Sequence, residues 1–218
     1  MEQMKQITEQ GRKIEDGSFG IIDHEIERDH GGHNLTPAQW SVVRRAIHTS
    51  GDFEFAKLFK FSAQATQAGI EALRNGCAIV TDVTMITAGL SKRRLEPFGC
   101  SAHCFISDQQ VINEAKAAGS TRAIVAMRRA RDLGLLDGGV VGIGNAPTAL
   151  LELLRMLEQG EAKPALVVAI PVGFVMAEES KANLMQANAV EYITSVGRKG
   201  GSPLVVSTLN ALLIEASK

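Results

Sequence analysis

The chain is poor in cysteine: its 218 residues include three, Cys77, Cys100 and Cys104. So sparse and odd a set excludes a disulfide-stapled scaffold and points to a reducing cytoplasm. No apolar run is long enough to cross a bilayer. The longest strongly apolar stretch, Ala165 to Ala177, is broken by Pro171 and Gly173 and reads as a buried strand. The amino terminus, Met1 to Lys13, is polar and lacks the apolar segment of a signal peptide. An excess of charge of either sign is also missing. Lys and Arg total 23 against 24 Asp and Glu, a net charge of -1, so no global field holds nucleic acid or an anionic membrane. An acidic ligand must be met by local donors. No linker, repeat or biased segment divides the chain, which reads as one domain over residues 1–218. With 45% hydrophobic and 22% charged residues the composition is that of an ordinary folded protein.

Helical and buried-strand patterns alternate along most of the chain. That alternation predicts an α/β fold, a mostly parallel central sheet covered by helices on both faces. Phe19, Ile22 and Ile26 fall on one face of a first helix. Thr36 and Gln39 form a capping box, with Pro37 at the first helical position and Gly51 as the stop. Trp40, Val43 and Ile47 share a face of this second helix, and His48 lies in its last turn. Phe53 to Phe61 reads as a strand, Ser62 to Asn75 as a helix, and Cys77 to Val80 as a short buried strand that runs into Thr81, Asp82 and Thr84. Further strands are expected at 102–106, 139–143, 165–170 and 191–195. Each is followed by a helix-capping signal, at Asp108, Asn145, Glu178 and Ser202, the last with Pro203.

Three segments suit an anion. Gly142 to Pro147 is a strand running into a glycine turn and then a leucine-rich helix. It imitates a dinucleotide fingerprint, but Pro147 stands where the third glycine belongs and no GK[ST] is present. What survives is a helix N-terminus that favours an anion, or simply a tight turn. Gly197–Arg198–Lys199–Gly200–Gly201–Ser202–Pro203 joins two cations, flexible glycines and a capping serine at a fresh helix start. It suits a carboxylate or phosphate as well as a solvated basic turn. In Ser120–Thr121–Arg122, a cap at Ser120 puts Arg122 in a first turn, where a cation opposes the helix dipole. A ligand role accounts for that placement.

His48 should feel the negative end of its helix, with Asp52 and Glu54 close behind, so its protonated form is favoured relative to the reference of about 6.5. Such a residue donates a proton near neutrality, or merely terminates the helix. Neither the His24, His30, His33 group nor Cys100 to Cys104 has zinc spacing, and no metal site is expected. Asp82 and Thr84 follow a buried strand, where ligand crevices of open α/β sheets lie, and also suit a capping role.

Five motifs, in order, resemble the precorrin-8X methylmutase family of cobalamin biosynthesis. They are Ile47 to Phe53, Thr81 to Met85, Gly144 to Leu150, Pro171 to Val175 with Glu179–Ser180–Lys181, and Gly197 to Ser202. The likeness spans about Ile14 to Leu213. It implies an isomerase that moves a methyl group from C11 to C12 of precorrin-8 or cobalt-precorrin-8, giving hydrogenobyrinate or its cobalt counterpart. It also implies a homodimer that needs no metal, nucleotide or organic cofactor. By motif position His48 matches the catalytic histidine, which protonates ring C and assists a 1,5-sigmatropic shift. Ser18, Thr84, Arg122, Asn145, Arg198, Lys199, Gly200, Gly201 and Ser202 match positions that bind the tetrapyrrole. A macrocycle with many carboxylate arms accounts for scattered anion-binding turns in a nearly neutral chain. Thr49 to Phe53 and Arg198–Lys199 look closer to the anaerobic, cobalt-early branch, which makes cobalt-precorrin-8 the expected substrate. The competing readings are a corrinoid carrier without catalysis and a nucleotide-dependent enzyme.

Overall fold

The computed structural model describes residues 8–218, so the part of the amino-terminal reading that concerns residues 1–7 lies outside the described residues. Two long helices open it. α1 (Glu9–Asp29) is capped by Thr8 and buries Ile22 and Ile26. α2 (Pro37–Ser50) carries the expected capping box of Thr36 and Gln39 and ends at Gly51 in the left-handed conformation (φ 67°). The two are clasped by Asp23, whose carboxylate accepts from the Trp40 indole at 2.9 Å and from Arg44 at 2.8 Å.

The chain then runs through α3 (Phe55–Leu58), β1 (Phe59–Phe61), α4 (Ala65–Arg74), β2 (Ala78–Thr81), α5 (Thr84–Gly89), α6 (Lys92–Leu95), a 3₁₀ turn (Glu96–Phe98) and β3 (Ser101–His103). Next come α7 (Gln109–Ala117), α8 (Arg122–Asp132), β4 (Val140–Ile143), α9 (Pro147–Glu158), β5 (Leu166–Ala169), α10 (Ala177–Ala187), β6 (Tyr192–Ser195) and α11 (Ser202–Ala216). The strands form one sheet in the order β1-β6-β5-β4-β2-β3, parallel except for β1. β4 and β5 are buried along their whole length, as expected of strands covered on both faces.

The α/β reading holds, with local corrections. Phe53 to Phe61 is a helical turn followed by three strand residues, because Phe55 and Phe59 pack edge to face and the segment must turn a corner from α2 into the sheet edge. The strand placed at 102–106 ends at His103. The caps of α9 and α11 are Ala146 and Gly201 rather than Asn145 and Ser202; Ser202 is the first helical residue. Glu178 lies inside α10, whose cap is Met176 at φ 61°. Thr121, not Ser120, caps α8, its hydroxyl accepting from the Ile124 amide.

Two cores flank the sheet. One joins α1, α2, α4, α5, α6 and α11, and the other joins α8, α9 and α10. α11 buries Leu204, Val205, Leu209, Ala211, Leu212 and Leu213, residues on nearly every side, as a helix enclosed by its neighbours must. The connection after β2 leaves through α5 to the first face, and the one after β4 leaves through α9 to the second. Between β2 and β4 the sheet therefore opens a crevice at its carboxyl edge.

Candidate active site

That carboxyl edge gathers most of the residues singled out by sequence. Asp82 and Thr84 follow β2, Asn145 follows β4, and Gly197 to Ser202 follow β6. Arg122 opens α8 beside the start of α9, where the Thr121 and Thr148 hydroxyls lie 3.3 Å apart.

The crevice itself is filled from within. The fully buried Asp82 carboxylate accepts from the backbone N–H groups of Gly144 (3.0 Å), Asn145 (2.8 Å) and Ala146 (2.7 Å). Burial pushes this carboxyl above the usual range, while the three amides favour its charged form. The anion expected at the α9 N-terminus is thus the chain's own side chain, and the dinucleotide-like turn has no free amide nest for a phosphate. Asn145 remains exposed at the rim.

The β6–α11 turn is held differently. Lys181 of α10, fully buried, donates to Ser195 Oγ (3.2 Å) and to the Lys199 carbonyl (3.0 Å), which also accepts from Ser195 Oγ. Burial pushes the Lys181 amine down to about 8. In front, the Lys199 side chain pairs with Asp52 at 2.5 Å and with Glu54. The Asp52 carboxyl is held below its ordinary value by that ammonium. The Arg198 guanidinium stands 5.4 Å from the Phe174 ring centroid. Gly201 donates to the Ile170 carbonyl, whereas the N–H groups of Arg198, Lys199, Gly200 and Ser202 have no acceptor among the described residues. This turn keeps its donors available. Gly200 is required here by close approach, since a Cβ would stand 2.3 Å from the Ile170 carbonyl oxygen.

His48 is exposed at the end of α2, and its Nδ1 lies 2.8 Å from Ser18 Oγ on α1. Phe19 presents its ring edge-on to the imidazole at 5.3 Å. The structure therefore joins two residues thirty positions apart that the sequence matched separately. Asp52 and Glu54, expected beside His48, instead engage Lys199 and so tie the α2 end to the β6–α11 turn. Thr84 is exposed at the start of α5, its hydroxyl 3.9 Å from Cys104 Sγ. Arg122 is exposed too, and no hydrogen bond or ion pair joins it to the His48 group. Among the described residues no three His, Cys, Asp or Glu side chains converge on a metal-sized site.

Lys181 escaped the reading of the sequence as a site residue, although a signal was there. Ala177, Ser180, Lys181 and Leu184 form the buried stripe of α10, and a lysine on such a stripe needs a polar partner inside the fold. Beside it, Phe174 and Val175 are 84% and 77% exposed, an apolar rim on the loop before α10.

A family model described as precorrin-8X methylmutase matches residues 13–215. The chain is 47% identical to a cobalt-precorrin-8 methylmutase of Leptospira interrogans over 99% of this chain and 98% of that one. It is also 47% identical to the Priestia megaterium protein of the same name, over 98% and 92% respectively. The crystal structure of a precorrin-8X methyl mutase from Thermus thermophilus superposes with a TM-score of 0.87 at 46% identity, covering 95% of this chain and 97% of that one.

Proposed function

Because the chain belongs to the precorrin-8X methylmutase family, an isomerase family of cobalamin biosynthesis, we propose that it moves the methyl group of cobalt-precorrin-8 from C11 to C12 with His48 as general acid. The observation that carries the acid assignment is the His48 Nδ1 to Ser18 Oγ contact of 2.8 Å. In the protonated ring, Nδ1–H donates to the serine and Nε2–H is left for the macrocycle. After transfer the neutral ring keeps the same Nδ1–H bond, so the imidazole need not reorient during the step. Protonation of ring C draws electron density from the conjugated system and lowers the barrier to a 1,5-sigmatropic methyl shift. Substrate and product are isomers, so the delivered proton is given up again and nothing is oxidised or reduced.

The open donors of Arg198, Lys199, Gly200 and Ser202, with Thr84, Arg122 and Asn145 around the carboxyl edge, are the groups we assign to the carboxylate arms of the tetrapyrrole. Exposed Phe174 and Val175 suit the apolar face of the ring system. No metal, nucleotide or organic cofactor takes part in this reading. A homodimer acting in the cytoplasm completes it.

The test is a visible-spectrum time course of the purified protein with cobalt-precorrin-8, because the methyl shift changes the conjugation. Wild type should convert the substrate. His48→Ala should keep its fold and bind the tetrapyrrole but lose roughly 100- to 10,000-fold in kcat. Binding without a new product in wild type would make the protein a carrier, and normal turnover by His48→Ala would remove the acid assignment. Strong preference for metal-free substrate would overturn the cobalt form.

A further inference from the structure

One turn before His48 on α2, Arg45 borders two adjoining cavities, of about 550 and 340 Å³, and Arg94 of α6 borders both with it. The smaller is lined also by Thr49, Met85, Ser207 and Asn210, and no carboxylate lines it. Thr49 and Met85 are the chain neighbours of His48 and Thr84, so this cavity flanks the proposed site.

Its two cations are unequally neutralised. Arg45 pairs with Glu15 at 2.9 Å, leaving further guanidinium N–H groups over. Arg94 is half-buried, yet among the described residues no carboxylate lies within 4 Å of it and its guanidinium makes no hydrogen bond. Burial and the charges of Arg45 and Arg93 work against the Arg94 cation, and Glu15 offsets them only in part. A half-buried guanidinium beside another cation carries an unfavourable free energy that an incoming anion relieves.

The fold holds Arg94 in that position deliberately. Asn210 of α11 accepts from the Ser91 amide (3.3 Å) and donates to the Gly89 carbonyl (3.1 Å), fixing the segment that leads into α6. Gly89 is pressed so closely on α11 that a Cβ would stand 2.7 Å from Val206 Cγ2. The helix that carries Arg94 is thus pinned at its start.

We infer that this cavity is a carboxylate subsite, with Arg94 as principal donor and Arg45 as second, that takes one acidic arm of the tetrapyrrole and sets the distance of the macrocycle from His48. The inference rests on the substrate class proposed above. A bidentate guanidinium matches a carboxylate fork, and the same chemistry would also accept free inorganic phosphate.

Titration of cobalt-precorrin-8 by visible spectroscopy into wild type, Arg94→Gln, Arg94→Lys and the exposed control Arg93→Gln tests it, with and without inorganic phosphate. Unfolding curves show that each variant is folded. Arg94→Gln should raise Kd about ten- to a hundredfold, Arg94→Lys should restore part of the loss, and Arg93→Gln should bind as wild type. Phosphate should compete in wild type and much less in Arg94→Gln. Equal Kd for wild type and Arg94→Gln would overturn the subsite. Thermal protection by phosphate through Arg94, without any effect of the variant on tetrapyrrole binding, would make it a free-anion site and overturn the arm assignment. Wild type that binds but does not turn over refutes the isomerase reading and leaves this one standing. Wild type that binds no tetrapyrrole refutes both.

Discussion

Two turns at the carboxyl edge, Gly144 to Pro147 after β4 and Gly197 to Pro203 after β6, are built from like ingredients and end in opposite electrostatic states. Both are glycine-containing strand-to-helix turns with proline in the first helical turn. The first is closed by the buried Asp82 carboxylate on three successive amides. The second is held by the buried Lys181 ammonium on a carbonyl, and four of its amides have no acceptor among the described residues. A buried anion satisfies the amides of a helix start and removes it as a binding site. A buried cation satisfies carbonyls and leaves the amides for a ligand. The turns also touch, for a Cβ on Gly144 would lie 2.6 Å from Ser202 Cα, so changes in one should be felt in the other.

Breaking the closed turn has the largest expected effect on stability. Asp82→Ala strips the acceptor from three amides, one of them on buried Gly144, and should cost about 3 kcal/mol, a fall in Tm of about 10 °C by calorimetry. Gly200→Ala attacks the open turn, since its methyl would meet backbone oxygen at 2.3 Å, and denaturant melts should show a loss of about 2 kcal/mol together with weaker tetrapyrrole binding. If Gly200→Ala bound tetrapyrrole as wild type does, the open turn would not be part of the site.

The buried cation can be separated from its surroundings by pH. Lys181 titrates near 8 in the fold and near its ordinary 10.5 when unfolded, so between these values the unfolded chain binds more protons and stability rises with pH. Below pH 8 both states are charged and the cost of burying the charge is constant. Measured against Lys181→Met, wild type should gain on the order of 1 kcal/mol between pH 8 and 10. A flat difference would mean that Lys181 is not a strained cation. The smallest change belongs to Lys199→Ala. Its pairs with Asp52 and Glu54 are largely exposed and screened, so Tm should stay within about 2 °C of wild type and any difference should vanish in high salt. Asp52 adds a sign of its own. Its lowered carboxyl contributes stability above the ordinary carboxylate range that is lost as pH falls through the folded value, and Lys199→Ala should reduce that acid-side loss, the Glu54 amide keeping the remainder.

Much of this arrangement was legible in the chain. The capping box at Thr36, the stop at Gly51 and the apolar runs of β2, β4, β5 and β6 are local signals, because capping and strand burial depend on residues close in sequence. The segment from Phe53 to Phe61 misled, since its aromatic spacing satisfies a strand and a helical corner alike, and packing against the sheet edge decided between them. Asp82 was read as either functional or capping. Choosing required knowing that β2 and β4 are neighbours, which no spacing in the chain reveals.

By itself, then, the sequence determined the fold class, the position of His48 at a helix end, the glycine turns and the family to which the motifs belong. Tertiary structure alone decided which charges meet. It placed Ser18 on His48, Asp82 in one turn, Lys181 behind the other, and Lys199 between Asp52 and Glu54. It also left Arg94 without a paired carboxylate among the described residues. The physical reason is range. Helix caps and apolar periodicity act over a few residues along the chain, whereas a charge is neutralised by whatever lies within a few ångströms in space, and only the folded sheet fixes that.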